Sequence, residues 1–184
     1  MGFIFSIQNL PMVSGRIPRF LLWDTLWLCR HIWIDFYGEK NYNMTDCVFC
    51  KIISGKIPAE VLFENDHVIS LLDINPIHFG HALILPKQHC RDFLDLPSEA
   101  YQSILEAAKI ITNALVQSLH LEGYNLFSNN GQIAGQSVFH FHLHVTPRYA
   151  EDNIRFILKL KEYPDGELKR YGTIIRQHIQ LPSA

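Results

Sequence analysis

The 184-residue chain has few cysteines and no excess of charge of either sign. Its four cysteines are too few and too unevenly spaced for a small secreted domain held together by disulfides. Its 16 basic and 18 acidic residues give a formal net charge of −2, so no basic surface predicts nucleic-acid binding or attraction to an anionic membrane. These absences favour a reducing, cytoplasmic compartment and a small-molecule ligand.

The chain also lacks the uninterrupted apolar run of about 20 residues that a membrane-spanning helix requires. The apolar stretch over residues 19–37 is broken by Asp24, Arg30 and Asp35. It does not fit a signal peptide either, because no basic segment precedes it and no small-residue cleavage site follows it. We therefore expect no association with a membrane, and a hydrophobic content of 48% predicts an ordinary globular protein.

The composition of the chain changes near residue 43. All three tryptophans precede that point, and Met44 directly precedes a regular pattern of strands and helices. We interpret residues 1–43 as an extension upstream of a natural start at Met44, residues 44–150 as the domain and residues 151–184 as a tail with a helix. The alternative is that residues 1–43 are a real extension that packs as an amphipathic helix or lies on a membrane surface.

The pattern after Met44 predicts an α+β fold with a mostly antiparallel five-stranded sheet, one long helix and a C-terminal helix. Apolar residues at helical spacing predict that the long helix begins at Leu96-Pro97-Ser98-Glu99 and ends near Gly123. Alternating or continuous apolar runs between turn residues predict the strands. The strands are predicted over residues 61–64, 68–74, 81–85, 124–128 and 138–146, and the second helix over residues 167–179.

Three of the ten histidines alternate within five residues, at His140, His142 and His144. In an extended strand their rings point to one face at a spacing of about 6.6 Å. Such a row is hard to explain as structure alone, since every ring has two nitrogens that need partners and clustered imidazoles lower one another's pKa. The row can bind a transition metal, or one neutral imidazole can act as a nucleophile while its neighbours hold an anionic substrate.

The segment before the row favours the second chemistry. Asn129-Asn130-Gly131 and Gly135-Gln136-Ser137 place glycines, amides and a hydroxyl directly ahead of the histidines, and such groups cradle phosphates.

These residues together resemble the signature of the histidine triad (HIT) family of nucleotide hydrolases and transferases. The matching segment is Asn129-x-Gly131-x-x-Ala134-Gly135-Gln136-Ser137-Val138-x-His140-x-His142-x-His144-x-x-Pro147-Arg148. Two further blocks are similar to the family: Asp73-Ile74-Asn75-Pro76 followed by Gly80-His81-Ala82-Leu83-Ile84-Leu85-Pro86-Lys87, and Phe49-Cys50-Lys51-Ile52-Ile53-x-Gly55-x-Ile57-Pro58. The resemblance covers residues 46–150 and implies a HIT-like fold.

The resemblance also implies the roles of individual residues. His142 would be the nucleophile that attacks the α-phosphorus, His144 would contact phosphate, and His81 would support the histidine strand. Among the other catalytic and substrate-binding residues implied are Ser137, Asn129, Gly135 and Gln136 around the phosphate or leaving atom, Asp73 at the ribose, and Phe49, Ile52, Ile57 and Ile74 in the base pocket. The four apolar residues are equally compatible with a plain core.

Cys47 and Cys50 form a C-x-x-C pair that is compatible with redox activity, inert thiols or metal binding. No thioredoxin-like pattern surrounds the pair, whereas His89 and His140 would complete a closed Cys₂His₂ set. Bacterial-type members of the family carry zinc at matching positions, so the resemblance implies a structural Zn²⁺ site. Buried thiols and a surface histidine are the alternative.

The opening block resembles the phosphoramidase-like branch of the family, whose substrates are purine nucleoside phosphoramidates. The chain lacks the tryptophan found near the C-terminus in part of that branch. The resemblance therefore implies a hydrolase that works through a covalent nucleotidyl-histidine and forms a homodimer. The alternatives are a diadenosine polyphosphate hydrolase and a catalytically idle nucleotide-binding protein.

Overall fold

The computed structural model describes residues 46–155 and 157–180. Five strands form a sheet of order β1-β2-β3-β5-β4 in which all neighbouring strands are antiparallel. This confirms the predicted α+β fold. The elements are α1 (Val48–Ile53), β1 (Val61–Glu64), β2 (Val68–Leu72), β3 (Ala82–Pro86), α2 (Ser98–Leu119), β4 (Gly123–Phe127), β5 (Leu143–Arg148) and α3 (Glu167–Gln177).

The sheet is covered on both faces, which explains why its inner strands are almost continuously apolar. Side chains alternate along β2 and β3, so each strand contributes to two separate core clusters. On one face Val68, Ala82 and Ile84 pack with the buried side of α2. On the other face Leu71 and Leu83 pack with Phe49 of α1.

The strand predicted over residues 138–146 is wrong in its first half, because β5 begins only at Leu143. Residues 138–140 form a bend. The amide of Phe141 donates to the carbonyl of Cys90 at 2.6 Å, so the loop after β3 rather than a strand ladder holds this segment. The side chains of this segment nevertheless still alternate between two environments. Phe141 lies in the core cluster on the α2 face of the sheet, whereas His140 and His142 are buried outside that cluster.

Other predicted boundaries also shift, and β3 and β4 are each displaced by one residue from the predicted 81–85 and 124–128. β2 ends at Leu72 instead of Ile74 because the Asp73 carboxylate accepts the amide of Asn75 and starts a turn. The long helix ends at Leu119, before the left-handed His120, instead of near Gly123. The C-terminal helix ends at Gln177 instead of Ile179.

The short helix α1 was not predicted, because six residues are too few to show a helical period.

Every described core residue lies between Phe49 and Val145. Residues 1–45 lie outside the described residues, so the domain boundaries at 44 and 150, like the natural start at Met44, remain proposals. No helix in the described part of the chain has the length and apolar character to cross a membrane.

Candidate active site and metal cluster

Two cysteines and two histidines meet where α1 lies against the sheet. Cys47 precedes α1 and Cys50 lies within it, while His89 and His140 come from the loop after β3 and the bend before β5. The Nδ1 atom of His140 lies 3.5 Å from the sulfur of each cysteine, and the Nδ1 atom of His89 lies 3.2 Å from the Cys50 sulfur. The fold therefore brings the four predicted metal ligands together.

The cluster fits a tetrahedral zinc ion in chemistry and in size. Zinc bonds of about 2.3 Å to sulfur and 2.0–2.1 Å to nitrogen imply an S···N edge of about 3.6 Å, close to the distances observed here. The Nε2 atom of His140 bonds to the carbonyl of Pro86 at 2.9 Å, which requires a proton on Nε2 and leaves the Nδ1 lone pair facing the sulfurs. Outer hydrogen bonds of this kind orient histidine ligands in metal sites.

Burial disfavours the charged forms of His140 and Cys50 in this cluster. It lowers the pKa of His140 to about 4, against the opposing effect of its bond to the Pro86 carbonyl. Burial also raises the pKa of the Cys50 thiol to about 11, and the neighbouring Cys47 adds to the increase. A divalent cation would supply the positive charge that favours a thiolate at Cys50.

His142 is held in one tautomer by the backbone. Its Nδ1 lies 2.8 Å from the carbonyl of His140, which only accepts, so Nδ1 carries the proton and Nε2 carries the lone pair. Burial lowers the pKa of His142, which keeps the ring neutral. The ring of Phe49 packs edge-on against it at 5.2 Å between centroids. A neutral, oriented imidazole with a free Nε2 has the properties of a nucleophile.

A hydrogen-bonded chain fixes the proton on His144 as well. The amide of Ile77 donates to Nδ1 of His81 at 3.2 Å, so the proton of His81 is on Nε2 and is donated to Nδ1 of His144 at 2.9 Å. The remaining proton of His144 is then on Nε2, which is buried and has no partner in the described residues. Burial and the neighbouring histidines lower the pKa of His144 to about 4. An unpaired buried donor beside a nucleophile is suited to an oxygen of a bound anion.

Asp73 lies next to this chain, with one carboxylate oxygen 3.4 Å from Nδ1 of His81. Its other oxygen accepts the amide of Asn75, and its side chain is 21% exposed, so it can still accept hydrogen bonds from a ligand. Asp73, His81 and His144 form a second group with closely spaced ligand atoms. Because His81 and His144 already bond to each other, we interpret this group as a hydrogen-bonded network.

The loop before the histidine row is held by a buried glutamine and contains a glycine with a positive φ. Gln136 is buried, and its side chain accepts from the Gly131 amide and donates to the carbonyls of Arg91 and Val138. It therefore braces the loop through its side chain, a role that the sequence did not indicate. Gly135 has a φ of +89°, and a Cβ there would lie 3.5 Å from the Asn129 amide nitrogen.

Ser137 is exposed and lines a cavity together with Cys47 and His89.

The four apolar residues expected to line a base pocket differ in their exposure to solvent. Phe49 is buried in the core on the α1 face of the sheet, and Ile52 packs against the same core. Ile57 is half-buried, whereas Ile74 is 87% exposed in the loop after β2. Their place in a base pocket stays a prediction.

No sequence pattern indicated Phe127, whose ring stacks on His144 with centroids 4.5 Å apart and planes 10° from parallel. The contact follows from the pairing of β4 with β5, in which these two residues are directly opposite. The signal was available only after the register of the two strands was known.

Comparison with known proteins places the chain in one family. The model of the HIT domain matches residues 54–151. A protein of Arabidopsis thaliana named adenylylsulfatase HINT3 is 35% identical over 77% of this chain and 73% of its own. The crystal structure of a HIT family member from Bacillus subtilis matches 74% of this chain and 99% of its own, with a TM-score of 0.70 and 33% identity. The chain belongs to the HIT family.

A zinc-bound histidine triad protein from Mycobacterium smegmatis also has a similar structure. It is 37% identical, with a TM-score of 0.58, over 73% of this chain and 94% of its own.

Replacement of Gln136 by alanine tests its role as a brace. We expect a loss of about 1–3 kcal/mol in the free energy of unfolding, because buried backbone groups lose their partner. The control is Gln132→Ala, which removes an exposed glutamine from the same loop and is expected to change stability little. The measurement is urea denaturation of the two variants. Equal stability of both variants would contradict the brace.

Proposed function

We propose that the chain is a nucleotide hydrolase that cleaves at the α-phosphorus of purine nucleoside phosphoramidates or related nucleotide conjugates. The observation that carries the proposal is the geometry of His142, whose Nδ1 proton is held by the His140 carbonyl so that Nε2 is free to attack. Membership of the HIT family and the similarity to a plant adenylylsulfatase support a reaction at a nucleotide phosphorus.

In the first step Nε2 of His142 bonds to the α-phosphorus, and the bond from phosphorus to the leaving group breaks with its electron pair on that group. An amine leaving group takes up a proton from solvent as it departs, and the water that attacks in the second step returns a proton to solvent. In the second step water attacks the phosphorus of the nucleotidyl-histidine, so the phosphorus–nitrogen bond breaks, the nucleoside monophosphate is released and Nε2 of His142 is regenerated. Division into two steps replaces one poor displacement by two easier ones.

The neighbouring groups would stabilise the charge on the phosphate oxygens. The unpartnered Nε2–H of His144 is a neutral donor of fixed orientation, and its position is set by His81 and the amide of Ile77. Backbone amides of the loop at Gly135, with Ser137 and Asn129, are further candidates for phosphate contacts, and the partly exposed Asp73 is a candidate for the ribose hydroxyls. Pre-oriented donors of this kind are a major source of rate enhancement.

Replacement of His142 by alanine is expected to reduce kcat for adenosine phosphoramidate at least about 10³-fold, because the covalent route is lost while nucleotide binding survives. The control is His67→Ala, which removes an exposed histidine outside the site. Steady-state kinetics and nucleotide binding are measured for both. A near-normal kcat for His142→Ala, or rapid-quench experiments that never trap labelled nucleotide on the wild-type protein, would contradict a His142 nucleophile.

The two alternative functions differ from the proposed one either in the leaving group of the substrate or in the absence of turnover. A panel of adenosine phosphoramidate, adenylyl sulfate and diadenosine polyphosphates, compared by kcat/KM, separates the phosphoramidase from a dinucleotide hydrolase. An idle nucleotide-binding protein would bind these compounds without turnover.

We also propose that Cys47, Cys50, His89 and His140 hold a structural Zn²⁺ ion. The support is the match between their spacing and a tetrahedral site, together with the similarity to a zinc-bound protein. A bound ion would tie α1 to the loop after β3 and to the bend before β5, and so would contribute directly to folding.

We expect about one zinc ion per chain and a lower Tm in the presence of a chelator. Cys50→Ser is expected to lose the metal, because a serine hydroxyl is a poor zinc ligand. Cys90→Ala is the control, since Cys90 is a buried thiol outside the cluster. Metal analysis of protein purified without chelator is the measurement. Wild-type protein without zinc, or equal zinc in both variants, would contradict this site.

A homodimer is the third proposal, supported by apolar surface along one edge of the sheet. β4 is an edge strand with Tyr124 and Leu126 each 47% exposed, and Leu105 of the adjacent α2 is 67% exposed. The helix α3 has no buried residue and leaves Leu168 and Ile175 in solvent. Unpaired edge strands and contiguous apolar surface are typical of association sites.

Leu126→Arg is expected to shift the protein to monomers, because a charge would be buried at the interface. Leu62→Arg is the control, since Leu62 is 41% exposed on β1 at the opposite edge of the sheet. Sedimentation at micromolar concentration gives the oligomeric state of each. A wild-type monomer, or equal dissociation by the two variants, would contradict association through β4.

A further inference from the structure

We infer that Cys47 and Cys50 are a reversible redox pair, in which oxidation joins the two sulfurs in a disulfide and releases the metal from the cluster with His89 and His140. Formation of the disulfide depends only on the two thiols. Release of metal rests in addition on the zinc site proposed above, because an ion can leave only from an occupied site. Neither step uses the proposed hydrolase activity.

The two sulfurs are close enough to react with each other. The ligand atoms of the cluster all lie within 4.8 Å of one another, so the sulfurs are no further apart than this. A disulfide bond is about 2.0 Å long. Rotation of a cysteine side chain between staggered rotamers moves its sulfur by about 3 Å. A change of rotamer can therefore bring the two sulfurs to bonding distance.

The backbone that joins the two cysteines also suits a disulfide. The carbonyl of Cys47 accepts the amide of Lys51 at 3.1 Å, so residues 47–51 form one helical turn. Residues three apart in such a turn have Cα atoms about 5 Å apart. Disulfides join Cα atoms that are about 4.4–6.8 Å apart. Closure of the bond between Cys47 and Cys50 therefore requires no rearrangement of α1.

The pair is within reach of a small oxidant. Cys47 and Cys50 are half-buried, and Cys47 lines a cavity of about 300 Å³ together with Ser137 and His89. A water molecule occupies about 30 Å³, so the cavity admits hydrogen peroxide, which is only slightly larger. Cys90, the other described cysteine, is 3% exposed and lies outside the cluster. Because buried thiols are inert, we expect oxidation at the pair and not at Cys90.

Hydrogen peroxide is the oxidant of this step. The Cys47 sulfur attacks one peroxide oxygen, the O–O bond breaks, and a sulfenic acid and one water form. The Cys50 sulfur then attacks the sulfenic sulfur, so that the S–S bond forms, the S–O bond breaks and a second water leaves. The two sulfurs lose two electrons, which reduce the peroxide. When the thiolates start from the zinc-bound state, the two waters take up two protons from solvent.

The disulfide removes two of the four ligands of the cluster. Thiolates bind metal and a disulfide does not, so His89 and His140 would remain as the ligands in place of the four that a structural zinc ion needs. The ion would therefore leave as Zn²⁺, and the link from α1 to the loop after β3 would open. A thiol reductant restores both thiols, and added zinc then closes the cluster again.

The test uses the full chain with Cys29→Ser and Cys90→Ala, so that Cys47 and Cys50 are the only cysteines. The zinc-loaded protein receives one equivalent of hydrogen peroxide, and zinc release and free thiols are measured. We expect about one zinc ion released and two thiols lost per chain. Trypsin yields the peptide 41–51, which carries both cysteines, and its mass is expected to fall by two hydrogen atoms. Dithiothreitol and zinc are expected to reverse all three changes.

Two further samples complete the experiment. Cys50→Ser in the same background keeps Cys47 but lacks the second thiol, so dimedone is expected to trap a sulfenic acid on Cys47 and no internal disulfide forms. The metal-free reduced protein is expected to form the same disulfide as the zinc-loaded protein. If Cys90→Ala prevents folding, the wild-type chain replaces the variant and the mass of peptide 41–51 reports the disulfide.

The metal-free sample separates the redox pair from the proposed zinc site. If the protein holds no zinc but the disulfide forms and is reduced again, the zinc site fails and the redox pair stands. Free thiols that persist in the metal-free protein, sulfinic acids that dithiothreitol does not reduce, or disulfides only between chains would overturn the inference. Zinc-loaded protein that keeps its ion and both thiols would overturn the release of metal.

Discussion

The hydrogen bond between the ring of His142 and the carbonyl of His140 is the contact on which the site depends. It determines which nitrogen of His142 carries the lone pair, and it forms at a bend where the sheet gives no support. The protein meets this constraint by burying His140 completely and by engaging its ring with Pro86 and the two cysteines. The proposed nucleophile site and the proposed metal cluster therefore share one residue.

The second histidine pair follows the same principle by another route. The amide of Ile77 sets the tautomer of His81, and His81 sets that of His144. In both cases a backbone group decides which nitrogen of the histidine ring carries the proton. The backbone group can only donate or only accept, whereas each ring nitrogen can do either. Burial lowers the pKa of all three buried residues His81, His142 and His144, so neutral rings with defined donors and acceptors result.

The sheet places these groups by its two-sided packing. α2 covers one face with aliphatic side chains, whereas α1 covers the other with Phe49, whose ring contacts His140 and His142. The short helix α1 therefore closes the core beside the histidines. It also brings Cys47 and Cys50 within reach of His140. The same helix thus completes the apolar core and positions polar groups of the cluster.

The sequence by itself determined the α+β class and the approximate positions of all five strands and two helices, because periodicity is a local property of a chain. The four residues of the proposed metal cluster were predicted from the C-x-x-C pair together with the resemblance to a known family. The tertiary structure decided what depends on distant partners. It ended β5 at Leu143 through the bond from Phe141 to Cys90, and it engaged the Gln136 side chain with backbone groups far along the chain. It also fixed the proton positions of the buried histidines. Such outcomes depend on which backbone carbonyl or amide faces each ring, and a one-dimensional pattern carries no record of that geometry.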